Sequence, residues 1–478
     1  MGVADWADGL FDRIDSARAE ANALFEPTLR LGITGLSGAG KTVFITGLVA
    51  SLLDRSRMRL LKAAAEGRIE AAMLRPQPDP EMPRFAYETH LSVLDGDPPA
   101  WPESTRSVSQ LRISLRYRPA GIMGLFGPSV LHLDIVDYPG EWLLDLPLIE
   151  QDYETWAEAA LATARSDARA PHAEIWHRSL DAADPKAEHD EVTADGLATA
   201  YRGYLGACRR AGLSSLAPGR FLLPGELDGS PALTFVPLPN PGRHRRNALY
   251  AQMRERFDAY KRVVVKPFFR NHFARLDRQV VLIDALAALS MGPRALGDLT
   301  ATMAETLGAF RHGQSSWLDR LLGGRKIDRL LFAASKADHL HHEQHPELIG
   351  LIEGMLAEAA RRAEWSGTET RAMALSAIRA TAEQEIQQNG ETIRLVRGPR
   401  LDDRKEVALY PGALPRDVAA VLAEAQTAAP GSAPPDWPDA EYAAVRFAPP
   451  RWRKNNGKAP PHIRLDTALD FLIGDKLR

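Results

Sequence analysis

The chain has 478 residues and a single cysteine, Cys208. One thiol excludes an internal disulfide framework and any metal site built from several thiolates. An excess of charge of one sign is also missing. The chain has 59 Lys and Arg against 62 Asp and Glu, a formal charge of −3. That argues against a protein that is basic overall and grips nucleic acid through its general field. No apolar run reaches the ~18 residues a membrane-spanning helix needs; the best, Thr42–Leu53, is shorter and starts inside a motif. The opening MGVADWADGLFDRIDSARAE has no basic stretch followed by an apolar core, so no secretory signal is read there. Trp6 stands where a myristoylation motif needs Ser or Thr. The composition, 45% hydrophobic and 25% charged, is that of an ordinary folded chain, expected in the cytoplasm, with room for about three domains or one domain with large insertions.

Residues 5–25 read as an amphipathic helix. An apolar strand, Thr28–Thr34, leads through a glycine-rich turn into a helical stretch beginning VFITGLVASLL. Seven prolines between 76 and 104 read as an extended loop. Val108–Tyr117 and Val130–Val136 alternate apolar and polar residues on either side of a turn-rich stretch, the pattern of an antiparallel pair. Residues 150–275 carry helical patterns and no convincing strand. Within them charge is segregated: four basic and eleven acidic residues over 151–200, nine basic and two acidic over 241–270. Either the two stretches lie side by side or face solvent, or 241–270 offers a basic surface to an acidic partner or an anionic membrane. Strand signals return at Val280–Ile283, Leu330–Ala334 and Met373–Leu375, separated by helical segments at 299–311 and 346–363. Alternation of this kind predicts a mostly parallel α/β sheet. Residues 427–440 read as a linker and Leu465–Leu477 as a final helix.

The segment Gly35-Leu-Ser37-Gly38-Ala39-Gly40-Lys41-Thr42 matches G-x-x-x-x-G-K-[ST], between a strand and a helix. The glycines let successive N–H groups converge on phosphates, Lys41 supplies a point charge, and the Thr42 hydroxyl is a Mg²⁺ ligand. The helix from Thr42 and Val43 aims its N-terminal dipole at the same anion. The strand ending at Val136 runs into Asp137-Tyr138-Pro139-Gly140. Asp137 suits the role of holding Mg²⁺ through its water shell, and the Gly140 N–H that of sensing a γ-phosphate. Ser335-Lys336-Ala337-Asp338 follows a buried strand and is similar to [NT]-K-x-D, in which the carboxylate accepts hydrogen bonds from guanine N1 and N2 that adenine cannot donate. Ser376-Ala377-Ile378 follows the next strand, as a loop contacting the base through its backbone would. Thr105 precedes the first strand of the antiparallel pair and is the candidate switch residue and Mg²⁺ ligand, with Ser104 and Ser107 as rivals. Arg106 reads as a solvated side chain or as an arginine finger in cis. Glu141 occupies the place where Ras-like enzymes often put a water-orienting Gln. Trp142-Leu143-Leu144 reads either as packing under the helical region or as a partner surface.

GLSGAGKT, Thr105, DYPG, SKAD and SAI occur in the order found in the Ras-like branch of phosphate-loop GTPases, which the chain resembles. More narrowly, GITGLSGAGKTVFITGLV, WPEST, VDYPGEWLLDLPL and FAASKADHL resemble the YcjX-like family of bacterial stress-associated GTPases. The resemblance implies a three-layer α/β G domain with a mostly parallel sheet, GTP or GDP and Mg²⁺ as ligands, GTP hydrolysis, and a bacterial cytoplasmic setting. The expected organisation is an N-terminal helix over 1–25, a G domain from 26–150 and 276–400, a helical insert over 151–275 and a C-terminal segment over 400–478. Catalysis falls to Lys41, Thr105, Gly140 and Glu141, metal binding to Thr42, Thr105 and Asp137. Glu141 near phosphate charge predicts slow hydrolysis, raised by an unidentified protein activator or by a homodimer. The competing readings are a nucleotide-dependent scaffold with little hydrolysis, and an ATPase or kinase that shares only the phosphate loop.

Overall fold

The computed structural model describes residues 26–36, 38–103, 107–308, 327–365, 367–388, 390–427, 437, 442, 445–451 and 459–478. The expected helix over 5–25, Ser37, Ser104, Thr105, Arg106 and most of the expected linker over 427–440 lie outside the described residues.

Seven strands form the central sheet: β1 Thr28–Gly35, β2 Ile69–Arg75, β3 Ser109–Tyr117, β4 Ser129–Asp137, β5 Arg278–Ile283, β6 Arg329–Ala334 and β7 Glu369–Ala374. Their order is β2-β3-β4-β1-β5-β6-β7. From β4 to β7 every neighbour is parallel, while β3 runs antiparallel to both β2 and β4. This is the mostly parallel α/β sheet expected from the sequence, with the expected antiparallel pair as β3 and β4. Arg112 on β3 holds Asp134 on β4 through two bonds of 2.6 and 2.7 Å. The pair sits directly opposite in the register, so a slip by one residue would strand a buried carboxylate.

The central strands are apolar throughout because both faces are covered. Val280, Leu282 and Leu331 point into one core with helix α1 (Lys41–Asp54). Val281, Ile283 and Phe332 point into the other. Helix α1 is apolar all round and buried over most of its length, as a helix wedged between a sheet and other elements must be. Helix α2 (Tyr87–Leu94) lies within the proline-rich stretch, where an extended loop was expected.

Five helices fill the chain between β4 and β5: α3 Tyr153–Ala164, α4 Ala170–Asp181, α5 Glu191–Arg210, α6 Leu249–Tyr260 and α7 Lys266–Asn271. Asp152 and Asp190 start α3 and α5 by accepting from the N–H groups of Thr155 and Thr193, each at 2.8 Å, an N-cap worth about 1 kcal/mol. Aromatic side chains make their common core, with Trp156 stacked on Phe257 at 4.8 Å and Trp176 on Tyr204 at 5.0 Å. The acidic and basic stretches lie side by side: Arg256 reaches Glu191, and Asn247 donates to Glu188 at 3.0 Å.

Helices α8 (Pro293–Gly308) and α9 (His345–Trp365) cover the second face of the sheet, with α10 (Val418–Thr427) packed against both. A separate antiparallel sheet, not expected from the sequence, is formed by β8 Ala382–Gln388, β9 Glu391–Pro399 and β10 Glu406–Leu409. Helix α11 (Leu465–Ile473) returns to the first face, where Leu465, Leu469 and Leu472 are buried among the sheet residues. It is held by Arg278 of β5, whose side chain is fully buried; the guanidinium donates to Asp475 at 2.6 Å and to the Leu472 carbonyl.

Arg278→Ala removes the bidentate partner of Asp475, leaving it Arg329 at 3.1 Å, and the donor to the Leu472 carbonyl. The expected loss is about 3 kcal/mol in urea unfolding, with faster amide exchange in 465–475 than in β1. Unchanged stability would mean that α11 is held by its apolar face and its remaining polar ties, such as the Leu60 N–H to Asp466, without Arg278.

Candidate functional site

The site lies at the C-terminal edge of the parallel strands, where β1, β4, β6 and β7 each release a loop. After β1 the chain turns through Gly38 and Gly40, whose φ angles are +85° and +82°. A side chain would be strained at both. The turn feeds directly into α1. Lys41 is buried and its Nζ donates to the Gly35 carbonyl at 3.2 Å, so the lysine folds back over its own loop. The buried Thr42 hydroxyl donates to the Glu103 carbonyl at 3.3 Å. Glu103 is the residue before the 104–106 stretch, so the chain leading to Thr105 comes up against Thr42.

Asp137 ends β4 opposite Ile33 of β1 and is buried. Gly140 follows at the start of a short 3₁₀ turn, Gly140–Asp145. A Cβ placed on Gly140 would lie 2.5 Å from the Gly35 carbonyl carbon and oxygen and 2.9 Å from the Leu36 nitrogen. No side chain fits there, so the D-x-x-G glycine rests directly on the phosphate loop.

On the other side of β1, Ser335 donates to the Ile283 carbonyl of β5 at 3.4 Å. Lys336 adopts a left-handed φ of +59°, and its ammonium meets Asp284 at 2.5 Å. Asp338 is buried and one of its oxygens accepts from the Ala380 N–H at 2.8 Å. Ser376 turns inward to the Ile378 carbonyl at 3.0 Å. Gly47 on α1 lets that helix close on the same loop, since a Cβ there would come within 2.8 Å of the Ala377 carbonyl. One cavity of about 270 Å³ is lined by Gly38, Ala39, Gly40, Lys41, Thr42 and Val43 from the phosphate loop, by Ser335, Lys336 and Asp338, and by Ser376, Ala377 and Ile378. Three loops far apart in sequence thus face one space.

Sequence reasoning missed several parts of this cavity. Trp101, His339 and Phe447 line it. Trp101 Nε1 donates to the Phe447 carbonyl at 2.8 Å, and His339 meets the Phe447 ring edge-on at 5.2 Å. The backbone of Ser376 pairs with Ile463 in both directions, at 3.1 and 2.8 Å. The C-terminal part of the chain therefore crosses the cavity wall. An isolated aromatic and a short extended run carry no pattern that would reveal this. Asp284 directly follows β5, and its bond to Lys336 depends on the left-handed turn at that lysine.

The residues after Gly140 do not face outward. Trp142, Leu143 and Leu144 are buried in the core shared with the helical insert, which favours packing over a partner surface. Trp142 is clamped: the Arg220 guanidinium lies 3.1 Å from its ring centre, Phe268 packs edge-on at 5.2 Å, and its Nε1 donates to the Leu223 carbonyl at 3.0 Å. Asp145, fully enclosed, accepts from the Gly219 N–H at 2.7 Å and from the Tyr260 hydroxyl at 2.6 Å. Burial pushes its carboxyl up to about 6 despite those bonds. Glu141, also buried, faces Arg209 at the end of α5, with 3.5 Å between Oε1 and Nη2.

Because Asp145 binds its proton more tightly folded than unfolded, its contribution favours the folded state below about pH 4 and is lost as pH rises to about 6. Asp145→Asn keeps an acceptor for Gly219 and a polar partner for Tyr260 but does not titrate. The variant is expected to gain stability on the parent over that window, by an amount on the order of a few kcal/mol. Parallel pH–stability curves would show no rise in the Asp145 pKa on folding.

A family description, "YcjX-like family, DUF463", matches residues 29–477. A protein of Escherichia coli (strain K12) named Ras-like GTPase YcjX is 39% identical over 463 residues, covering 94% of this chain and 96% of that protein. A protein of the same name from Shewanella oneidensis is 37% identical over 480 residues, covering 94% of each. With its sheet order, its phosphate loop and these similarities along nearly its whole length, the chain belongs to the YcjX-like family.

Proposed function

We propose that this chain binds guanine nucleotides with Mg²⁺ and hydrolyses GTP slowly, and that its helical insert reads which nucleotide is bound. The observation that carries the reading is the single cavity shared by the phosphate loop, the SKAD loop and the SAI loop. Two relatives that match this chain over 94% of its length bear the name of a Ras-like GTPase.

The roles follow from chemistry. The loop amides from Gly35 to Val43, Ser37 included, and the Lys41 ammonium receive the phosphates. Lys41 would exchange the Gly35 carbonyl for a phosphate oxygen, a stronger charge-assisted partner. Asp338 accepts from guanine N1 and N2, held in place by the Ala380 N–H. Lys336, Ser335, Ser376, Ala377 and Ile378 shape the base site. Thr42, Thr105 and Asp137 would hold Mg²⁺; the Thr42 hydroxyl in the first turn of α1 and the buried Asp137 carboxylate at the end of β4 are the hard oxygen donors this ion prefers. When bound, the ion neutralises charge on the β- and γ-phosphates. In hydrolysis a water oxygen bonds to the γ-phosphorus, the bond to the bridging oxygen breaks, and that oxygen leaves with GDP. The water protons end on inorganic phosphate and solvent. Gly140, resting on the phosphate loop, is placed to sense the γ-phosphate, and the clamp on Trp142 and Asp145 carries its movement into the insert. The bacterial stress setting and cytoplasmic location implied by the family resemblance belong to the same reading; among the described residues no helix is long and apolar enough to cross a membrane.

Mg²⁺-dependent affinities for GDP, GTP, ADP and ATP test the base site. A guanine preference is expected, moving toward xanthine in Asp338→Asn. Equal or better ATP binding would discard the assignment of Asp338 and promote an ATPase or kinase. Phosphate release is expected below about 1 s⁻¹ and above the Lys41→Ala background. Release no higher than that background would leave a nucleotide-dependent scaffold. Amide exchange in 219–223 and 257–268 is expected to differ between GDP and a non-hydrolysable GTP analogue; identical exchange would remove the insert from the mechanism.

A further inference from the structure

Arg209 belongs to the helical insert, yet it lines a cavity together with Leu36, Gly38 and Ala39 of the phosphate loop and with Glu141. Its place is set from several directions. It occupies the last turn of α5. Immediately beyond that turn, the N–H groups of Ser214 and Ser215 donate to Asp298 of α8, the latter at 3.1 Å. The buried Arg169 of the insert holds the same carboxylate at 2.8 Å. Further along, a Cβ on Gly219 would meet the Glu141 carbonyl at 1.8 Å, so the two backbones touch. The end of α5 is thereby fastened to the G domain next to the residue that follows the D-x-x-G glycine.

The side chain itself is about one-third exposed and faces Glu141 at 3.5 Å. That distance is a loose ion pair rather than a tight hydrogen bond. A guanidinium in this position has a fork of donors that fits phosphate oxygens. Glu141 balances the cation and orients it beside the phosphate loop.

We propose that Arg209 is an arginine supplied in cis by the insert, which donates to γ-phosphate oxygens as charge spreads over them during hydrolysis, with Glu141 as its positioning residue. This rests on the GTPase reading above. It also gives the insert a second task, because closing the insert on the G domain would complete the catalytic charge. Arg209 moves no proton and forms no covalent bond; its contribution is electrostatic.

The test uses the full chain, with GDP, Mg²⁺ and aluminium fluoride as a mimic of the transferring phosphoryl group. Fluorescence of a labelled GDP reads ternary complex formation, and single-turnover GTP hydrolysis is followed in parallel. Arg209→Ala is expected to bind GDP and GTP within a few-fold of the parent, to lose the aluminium fluoride complex, and to hydrolyse GTP at least about 100-fold more slowly. Arg209→Lys keeps the charge without the fork and is expected to recover only part of the rate. Arg178→Ala removes an exposed insert charge on α4 and is expected to behave as the parent. Unchanged GDP affinity shows that the variants are folded. Aluminium fluoride binding by Arg209→Ala equal to the parent's overturns the proposal. A parent that binds GDP and GTP yet forms no aluminium fluoride complex also overturns it and leaves the nucleotide reading standing. A parent that prefers no guanine nucleotide removes both.

Discussion

Three backbones lie against one another with no side chain between them. The Gly35 carbonyl meets Gly140, and the carbonyl of the next residue, Glu141, meets Gly219. Glycine at positions 140 and 219 is a steric requirement, since a single methyl group would fall inside the van der Waals radius of a carbonyl on the neighbouring segment. The phosphate loop, the D-x-x-G turn and the helical insert therefore form a stack in which none moves far without pressing on the next. The buried carboxylate of Asp145 and the clamp on Trp142 fix the second interface of that stack. Close-packed interiors transmit displacement because they have few voids to absorb it.

The insert is thus less a separate domain than the continuation of one loop. Its aromatic core includes Tyr138 and the run Trp142–Ile149, which precede its first helix. It contacts the G domain again through Asp298, which satisfies a buried arginine and two backbone N–H groups at once. Removing one member of such a network leaves others buried and unpaired. The 188–191 and 247–256 stretches meet through the ion pair of Arg256 with Glu191 and a hydrogen bond from Asn247 to Glu188.

The parts legible in the sequence were those whose physics is local. GLSGAGKT is contiguous, so its turn, charge and helix start could all be read at once. The β3–β4 pair announced itself by alternation, and β5 and β6 by continuous apolar runs. Strand β2 did not, because IEAAMLR follows an alanine-rich helical stretch and sits at the sheet edge with mixed exposure. The polar β8, AEQEIQQ, is largely exposed and has no apolar face to betray it. Contacts between segments distant in sequence, Arg209 with Glu141 or Asp284 with Lys336, leave no trace in spacing. Glu141 and Lys336 could be singled out in the sequence, but their partners required the fold.

The wall of the cavity is closed from the far end of the chain. Ile463 pairs with the Ser376 backbone, Phe447 packs beside Trp101 and His339, and Asp475 meets Arg278 of β5. During synthesis on the ribosome the phosphate loop is made within the first tenth of the chain, long before these segments emerge. The nascent protein must hold an incomplete pocket, with a charged arginine in an unfinished core, until residues 447–475 are released. The cavity is therefore a long-range product of the fold, complete only once segments about 400 residues beyond Lys41 are in place.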